Sequence, residues 1–542
     1  MQDTLSPPRF RVPREDRSFL SIPDLQTASA WVEENRKLFA QSSCVLHGRS
    51  LDSLRTAARK SAIRAAQAYS RSILNLELPE LFQVADHSCL VSGHQPELFH
   101  VGVWAKNFAL AKLAEQTKSV GLNLVIDNDS LGSTSIRVPS GTASQIRIDR
   151  VQFDLPRPPL PWEEAQVLDP AQFQTFGADV AQRIRQSWGF DPLIGTAWPA
   201  AVQAMANSGR LCDGLTGFRA YVERSWGLGN LELPMSQLCE TEPFHWFFAH
   251  LMMRLPEFHT IYNDAVGEYR RAHRLRNRMQ PVPDLETADG WLEAPFWVWR
   301  AGESDRGRLF VRRIGSVCEL RMRNEIFARL PYTEQGSLDD AVALMAALPL
   351  QGIRLRTRAL TTTLFTRICL ADLFLHGIGG AKYDTMTDRI CERLFGFKAP
   401  SFLTVSATLY LPLGDLFATT EFQLRNIQHR LRDLTYNPDR HLADAAAVAG
   451  LIAEKTQLLT EAQRLRDAKT LQGRLTTDQH HRLSAIRSSL QSHVQEIRQD
   501  YEAEQVRLKT ELAANSLLRN REYPAALYPE SLLKEFLMRQ PG

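Results

Sequence analysis

Apolar positions along this chain switch between two spacings, and the switches mark its elements. Cys89 to Ser92 is a short apolar run closed by Gly93, the pattern of a buried strand. Pro96 and Glu97 then turn the chain into a helical spacing, with Val103, Phe108, Ala111 and Leu113 recurring before Gly121. A second apolar run, Leu122 to Ile126, ends in Asp127, Asn128 and Asp129. Strand, helix and strand in this order predict a βαβ unit and a parallel sheet, whose ligands sit beyond the carboxyl ends of the strands. A helix starting just after Gly93, His94 and Gln95 would aim backbone N–H groups at an anion.

The flanks extend this pattern. Residues 1–20 are rich in Pro and Arg and read as an extended arm, and residues 24–76 read as helical. Residues 132–165 alternate in a β fashion until a Pro-rich break, and 170–225 are helical again. Leu231 to Met235 suggests a further short strand. Phe258 to Arg278 is basic and amphipathic; a solvated face explains Arg270, Arg271, Arg274, Arg276 and Arg278 more readily than nucleic acid does. The runs around Phe296 and Phe310 predict a hairpin. Ile353 to Leu360 predicts a strand, followed by a helix through Leu375, a glycine-rich loop from His376 to Asp384, a helix to Phe395, and an apolar run from Ser401 to Leu413.

After Leu413 glycine and proline nearly vanish. Leu483, Ile486, Leu490, Val494, Ile497 and Tyr501 step by three and four, and Leu508 and Leu512 continue the seam. That is about four heptads of coiled-coil spacing on a last helix of about 35 residues, roughly 50 Å long. The spacing predicts a protruding antiparallel arm that pairs two copies of the chain. The expected boundaries are 1–80 for an N-terminal arm and helices, 81–419 for an α/β core, 420–515 for the coiled coil, and 516–542 for a tail docking on the core.

Composition narrows the class. A chain of 542 residues is too long for one ordinary core. Lys and Arg total 64 against 61 Asp and Glu, a net charge of +3 that gives no reason to expect nucleic acid. No apolar run reaches the roughly 18 residues of a membrane span, and the N-terminal stretch lacks a signal-peptide core. The seven scattered cysteines, with no CxxC pair, read as reduced thiols, so a cytoplasmic protein without disulfides or structural zinc is expected.

Three segments carry candidate chemistry. Gly93, His94 and Gln95 follow a strand, where loops usually carry a site. His94 suits proton transfer, and Gln95 contacts a ligand or caps the helix. Asp127, Asn128 and Asp129 follow the next strand; the carboxylates would orient polar groups, act as a base or bind Mg²⁺, although Asp-Asn-Asp is also good turn chemistry. In the third, Gly377, Gly379 and Gly380 let backbone approach an anion that Lys382 would neutralise, with His376 a further base. It is neither a Walker A loop nor GxGxxG. Arg354, Arg356 and Arg358 share a strand face that would form an anion-binding wall or meet acidic neighbours. His94, His100, Asp127 and Asp129 are the ingredients of a metal site, but without HExxH or Cys-rich spacing no metal ligands are assigned.

These residues suggest a family. Ser92-Gly93-His94-Gln95, with Leu98, Phe99 and Val103, resembles the Thr-Gly-Gln-Gln-x-x-Leu-Phe motif of the cysteine ligases of bacillithiol biosynthesis. Arg356 to Phe365, followed by Gly377 to Tyr383, is similar to the segment leading to that family's GGPxExxY loop, and the C-terminal coiled coil matches in position and kind. His94 replaces the first Gln of the motif, Asp127-Asn128-Asp129-Ser130 stands where the family has Glu-Asp-His-Asp, and the loop Glu is replaced near Lys382. The resemblance implies a divergent ligase with a Rossmann-like core, forming an amide between an amino acid and an amino-sugar-type acceptor. Carboxyl activation would require ATP, which the chemistry implies and no motif shows. The alternatives are a non-catalytic dimeric scaffold with a vestigial ligand pocket, or a metal-assisted hydrolase.

Overall fold

The structure, a computed structural model, describes residues 10–76, 88–277, 279–442, 444–467 and 475–539. The first residues of the expected arm and Arg278 of the basic stretch lie outside these. The elements begin with β1 (Ser18–Ile22), α1 (Ala28–Ala40), β2 (Val45–Leu46), β3 (Arg49–Ser50), α2 (Leu51–Ser72), β4 (Cys89–His94), α3 (Val101–Gln116) and β5 (Val120–Val125). There follow β6 (Ser135–Ser140), β7 (Arg147–Gln152), α4 (Pro170–Trp188), α5 (Leu193–Ser208), α6 (Leu211–Ser225), β8 (Leu231–Pro234), α7 (Met235–Leu238), α8 (Glu242–Met253) and α9 (Leu255–Ala272). Next are β9 (Thr287–Ala288), β10 (Trp291–Arg300), β11 (Gly307–Ile314), β12 (Val317–Met322), β13 (Glu325–Pro331), α10 (Asp339–Ala347) and β14 (Ile353–Thr357). The chain closes with α11 (Ala359–Phe365), β15 (Leu373–His376), α12 (Ile378–Phe395), β16 (Phe402–Thr408), α13 (Glu421–Tyr436), α14 (Ala449–Asp467), α15 (Thr477–Ser492), α16 (Gln495–Leu518) and α17 (Glu530–Met538).

It forms two units. The first comprises Met1–Ser140, Ile148–Pro412 and Arg521–Gly542; the second comprises Gly141–Arg147 and Leu413–Asn520. The N-terminal segment therefore belongs to the core unit: β1 pairs with β16 at the edge of its main sheet. The tail also docks there, with Ala525 N–H donating to Phe99 O at 3.0 Å and Leu193 N–H to Tyr528 O at 2.8 Å.

The first unit is mixed α/β. Its main sheet has the order β1-β16-β15-β4-β5-β8. β4, β5, β8, β15 and β16 are mutually parallel, and β1 alone is antiparallel. Leu90, Val91, Leu122 and Leu124 are fully buried, as strands covered on both faces require. After edge strand β1, the parallel part of the sheet begins in the middle at β4, steps outward through β5 to β8, and returns beside β4 as β15 and β16. The strand order therefore reverses between β4 and β15. Ser92 Oγ crosses that junction to donate to Leu375 O at 3.1 Å.

Two expectations about the segment after Ile353 are corrected, the helix through Leu375 and the glycine-rich loop. β14 is a strand, but it pairs with β10 at the edge of a second, antiparallel sheet of order β13-β12-β11-β10-β14. The hairpin expected around Phe296 and Phe310 is β10 and β11 of that sheet. The helix expected to reach Leu375 stops earlier: α11 ends at Phe365, a wider turn covers Thr366–Leu370, and Leu373–His376 is core strand β15. A short apolar run looks the same as a helix end when judged by period alone. Asp372, just before β15, settles it by pairing with Arg55 at 2.9 Å and with Arg59, both on α2. The glycine-rich stretch is not a loop either. It opens α12, because Ala381, Asp384 and Met386 are buried on that helix's inner side.

In the second unit α13 packs beside α16, and α14 beside α15. Val448, Ile486 and Leu490 form a small core, and Arg482 grips Glu454 with two bonds of 2.7 Å. The single last helix expected from the spacing is two helices: α15 ends at Ser492 and α16 begins at Gln495.

Candidate functional site

The carboxyl ends of the parallel strands open into a cavity of about 860 Å³ at the reversal of strand order. Such crevices are where open α/β sheets bind ligands, and this volume suits a small molecule. Gly93 and His94 of β4, Leu375 and His376 of β15, and Ser406 of β16 line it, as do Asn128 and Asp129 just past β5. α3 and α12 both begin at this edge, with no acidic residue in either first turn. Two of the three candidate segments meet here as expected, and so do the glycines of the third.

Lys106 of α3 projects into the cavity. It is buried, and its Nζ donates to Gly93 O at 2.7 Å. Burial, and then the Arg219 charge, pull its ammonium group down to about 7. His94 lies beside it. Burial, and then Lys106, hold that imidazole down at about 3, so His94 is neutral at physiological pH. It packs edge-on to Phe99 with ring centroids 5.2 Å apart. The expected role of His94 as a proton carrier near neutrality therefore loses its electrostatic basis; a neutral ring can donate or accept a hydrogen bond. His100 caps α3, accepting from Gly102 N–H at 3.0 Å. Gly102 is required: a Cβ there would lie 2.2 Å from Arg521 Nη2 and 2.5 Å from Ala407 O.

Across from this floor, Asp129 accepts from Gln95 Nε2 at 3.0 Å and pairs with Arg306 at 3.2 Å. Arg306 also donates to Asn128 O at 2.8 Å. Trp297 receives two guanidinium groups, Arg306 at 4.8 Å and Arg358 at 4.2 Å from its ring centroid, an attraction of cation–π type. Arg358 is paired with Glu293 at 2.8 Å, yet among the described residues nothing bonds its Nε and Nη2. Asn128 Nδ2 donates to Thr357 O at 2.9 Å, and its Oδ1 is likewise unpartnered. Unsatisfied buried polar atoms of this kind are rare and point to a missing partner.

His376 Nε2 lies 2.7 Å from Asp384 Oδ2 on α12. Gly377, Gly379 and Gly380 line the cavity at the start of α12. A Cβ at Gly379 would meet nothing within 4 Å, so that position faces open space.

Three expected residues lie elsewhere. Asp127 is buried and does not line the cavity; its carboxylate accepts from Ser236 N–H at 2.8 Å and Ser236 Oγ at 2.5 Å, tying the end of β5 to the start of α7. Burial, and then Glu163, push it up to about 7. Arg356 grips Glu163 at 2.9 and 2.8 Å and Glu240 at 2.9 Å in the interior. The acidic neighbours win over the anion-binding wall, and of the arginines around β14 only Arg358 reaches the cavity. Lys382 is exposed and does not line it.

The cavity's lysine is Lys106, which the sequence reading passed over. A signal was present: one lysine inside the apolar stretch from Val101 to Leu110, four residues after Gly102 and so on its face of the helix. Arg306, Trp297, Arg521 and Asp384 were also missed, because only the fold brings them to this edge. Lys106, Arg306, Arg358 and Arg521 face a single carboxylate, Asp129, among the described lining residues, which makes the cavity suited to anions. Among the described residues no group of three or more His, Cys, Asp or Glu is disposed to hold a metal ion. No helix of the described residues is long and apolar enough to cross a membrane.

No family model matches this chain, and no curated protein matches it.

Proposed function

We propose that the chain is an enzyme that binds an anionic, nucleotide-sized substrate in this cavity and forms a carbon–nitrogen bond. In this reading it resembles the cysteine ligases of bacillithiol biosynthesis and joins an amino-acid carboxyl to the amine of an amino-sugar-type acceptor. The observation that carries it is the convergence of Gly93–Gln95, Asn128–Asp129 and His376–Gly380 on one cationic cavity. The parallel strands, numbered in chain order from β4, lie in the order 3-2-1-4-5 with the reversal between 1 and 4, which supports a Rossmann-like core.

ATP would supply the phosphate chemistry that turns a carboxylate into an acylating group. The cavity fits it in volume and in charge, and the unpartnered Nε and Nη2 of Arg358 are donors placed for such an anion. Arg306, Arg358 and Lys106 would hold phosphate oxygens, Arg by its planar fork and Lys as a point charge. Asp129 and Gln95 would orient hydroxyl and amine groups of the acceptor.

The helical unit we read as an antiparallel coiled-coil arm that pairs two copies. Leu483, Ile486, Leu490, Val494 and Leu508 of the predicted seam are buried, while Phe422 on α13 and Val506 on α16 stay exposed at 73% and 62%. A second copy would cover such exposed apolar side chains. Light scattering at micromolar concentration would show a dimer, and a strict monomer would end this part. The seven free thiols fit a reducing compartment such as the cytoplasm.

The test of the main reading is turnover. Purified protein is incubated with ATP, with and without Mg²⁺, an amino acid and an amino sugar, and scored for the amide by mass spectrometry. Amide that depends on the nucleotide supports the ligase. Binding without turnover supports the dimeric scaffold, and hydrolysis that depends on a metal supports the hydrolase.

A further inference from the structure

His376 ends β15, and its Nε2 faces Asp384 Oδ2 at 2.7 Å. Arg367 Nη1 donates to the same carboxylate oxygen at 2.5 Å, and Arg367 Nη2 meets Asp388 at 2.7 Å. Burial alone would raise the Asp384 carboxyl, but Arg367, and then His376, outweigh it and hold the group well below the usual carboxylate range. A carboxylate that stays ionised accepts, so Nε2 of a neutral His376 carries the ring proton and Nδ1 keeps its lone pair. Among the described residues none bonds to Nδ1. His376 is buried but lines the cavity, and a Cβ at Gly380 would lie 2.7 Å from Nδ1, so the missing side chain at 380 keeps that nitrogen clear on this side.

We propose that His376 is the proton acceptor of the cavity, taking a proton on Nδ1 from an N–H or O–H group of the bound ligand. Asp384 is a positioning residue that fixes the tautomer, and Arg367 in turn fixes Asp384. The new imidazolium pairs with the Asp384 carboxylate, which Arg367 also holds while reaching on to Asp388, so its charge has an anionic partner already in place. In the ligase reading the proton comes from the acceptor amine. The nitrogen electron pair forms the C–N bond, and the phosphate leaving group of the activated carboxyl departs with the C–O pair.

This inference rests on the cavity being the functional site, but its test needs no substrate and so fails or succeeds apart from amide formation. Diethyl pyrocarbonate acylates imidazole nitrogens that carry a lone pair. It is applied to the full chain, and peptide mass mapping follows each histidine, with exposed His429 as the internal rate control. His376 is expected to be acylated in the wild type. It is expected to lose that reactivity in Gly380→Ala, whose Cβ covers Nδ1, and to show less of it in Asp384→Leu, which removes the acceptor that holds the ring proton on Nε2. Thermal melts check that each variant folds, and if Asp384→Leu does not, Gly380→Ala still decides. A wild-type His376 that stays unmodified while His429 reacts overturns the proposal. So does acylation at the wild-type rate in the folded variants.

Discussion

Lys106 Nζ donates to the carbonyl oxygen of Gly93 at 2.7 Å, and no carboxylate among the described residues pairs with that buried ammonium group. With its pKa pulled down to about 7, mainly by burial, the folded chain releases this proton well before the unfolded chain does. Lys in an unfolded chain titrates near 10.4. Between these values the unfolded state holds the extra proton, so the Lys106 contribution to stability rises with pH, by up to about 1.4 kcal/mol per pH unit. The burial penalty is complete below the folded value and gone above the unfolded one. Lys106→Met is therefore expected to raise the melting temperature, relative to wild type, more at about pH 6 than at about pH 10. An equal change at both would contradict this.

Asp127 and Lys382 should behave oppositely to what their sequence positions suggest. Asp127→Ala leaves the N–H and hydroxyl of buried Ser236 without their acceptor, which is expected to destabilise the fold by about 1–3 kcal/mol in urea unfolding. Lys382 is exposed, and Lys382→Ala is expected to change stability by less than about 0.5 kcal/mol and to leave ATP binding unaltered. Weakened ATP binding in Lys382→Ala would return that lysine to the site.

The βαβ unit from Cys89 to Asp129 was legible because two apolar runs of strand length flank a helix, and Gly93 and Asp127 close them. The edge they form was legible for the same reason. β15 was not, since Leu373–His376 is too short for a period to show and adjoins a real helix. Nor could spacing tell which side of its backbone a residue serves: Asp127 and Asp129 are two apart, yet one bonds Ser236 and the other lines the cavity. Arg306 and Trp297 come from the antiparallel sheet, and only the meeting of the two sheets reveals them. The break between α15 and α16 has no helix-breaking residue to announce it; Val494 continues the apolar spacing across it.

The cysteines offer a direct test of packing. All seven are free, and six are buried, with Cys44 the partly exposed one. Burial raises the thiol of Cys44 and pushes Cys89 up to about 12, so thiolate is scarce at neutral pH. A thiol reagent at pH about 7.5 is expected to label Cys44 first in the native protein and all seven in denaturant without reductant. Fast native labelling of Cys89 or Cys369 would show that the sheet core is open.

Gly102 should tolerate nothing larger. In Gly102→Ala the new Cβ meets Arg521 and the Ala407 carbonyl oxygen, and a loss of about 1–3 kcal/mol in stability is expected from this overpacking. Thermal melts read it directly; an unchanged melting temperature would mean that α3 can shift away from β16.

The central claim is that the cavity between β4 and β15 is a binding site for an anionic small molecule. Calorimetric titration of ATP into wild type, Gly379→Leu and Arg306→Gln tests it most directly. Gly379→Leu fills open space at the start of α12, and Arg306→Gln removes a guanidinium from the Trp297 face and its bonds to Asp129 and the Asn128 carbonyl, so thermal melts check that each variant folds. The expected result is binding in the wild type that weakens about tenfold or more in each variant, with melting temperatures unchanged in the absence of ligand. No binding by the wild type, or equal binding by all three folded proteins, would contradict the claim.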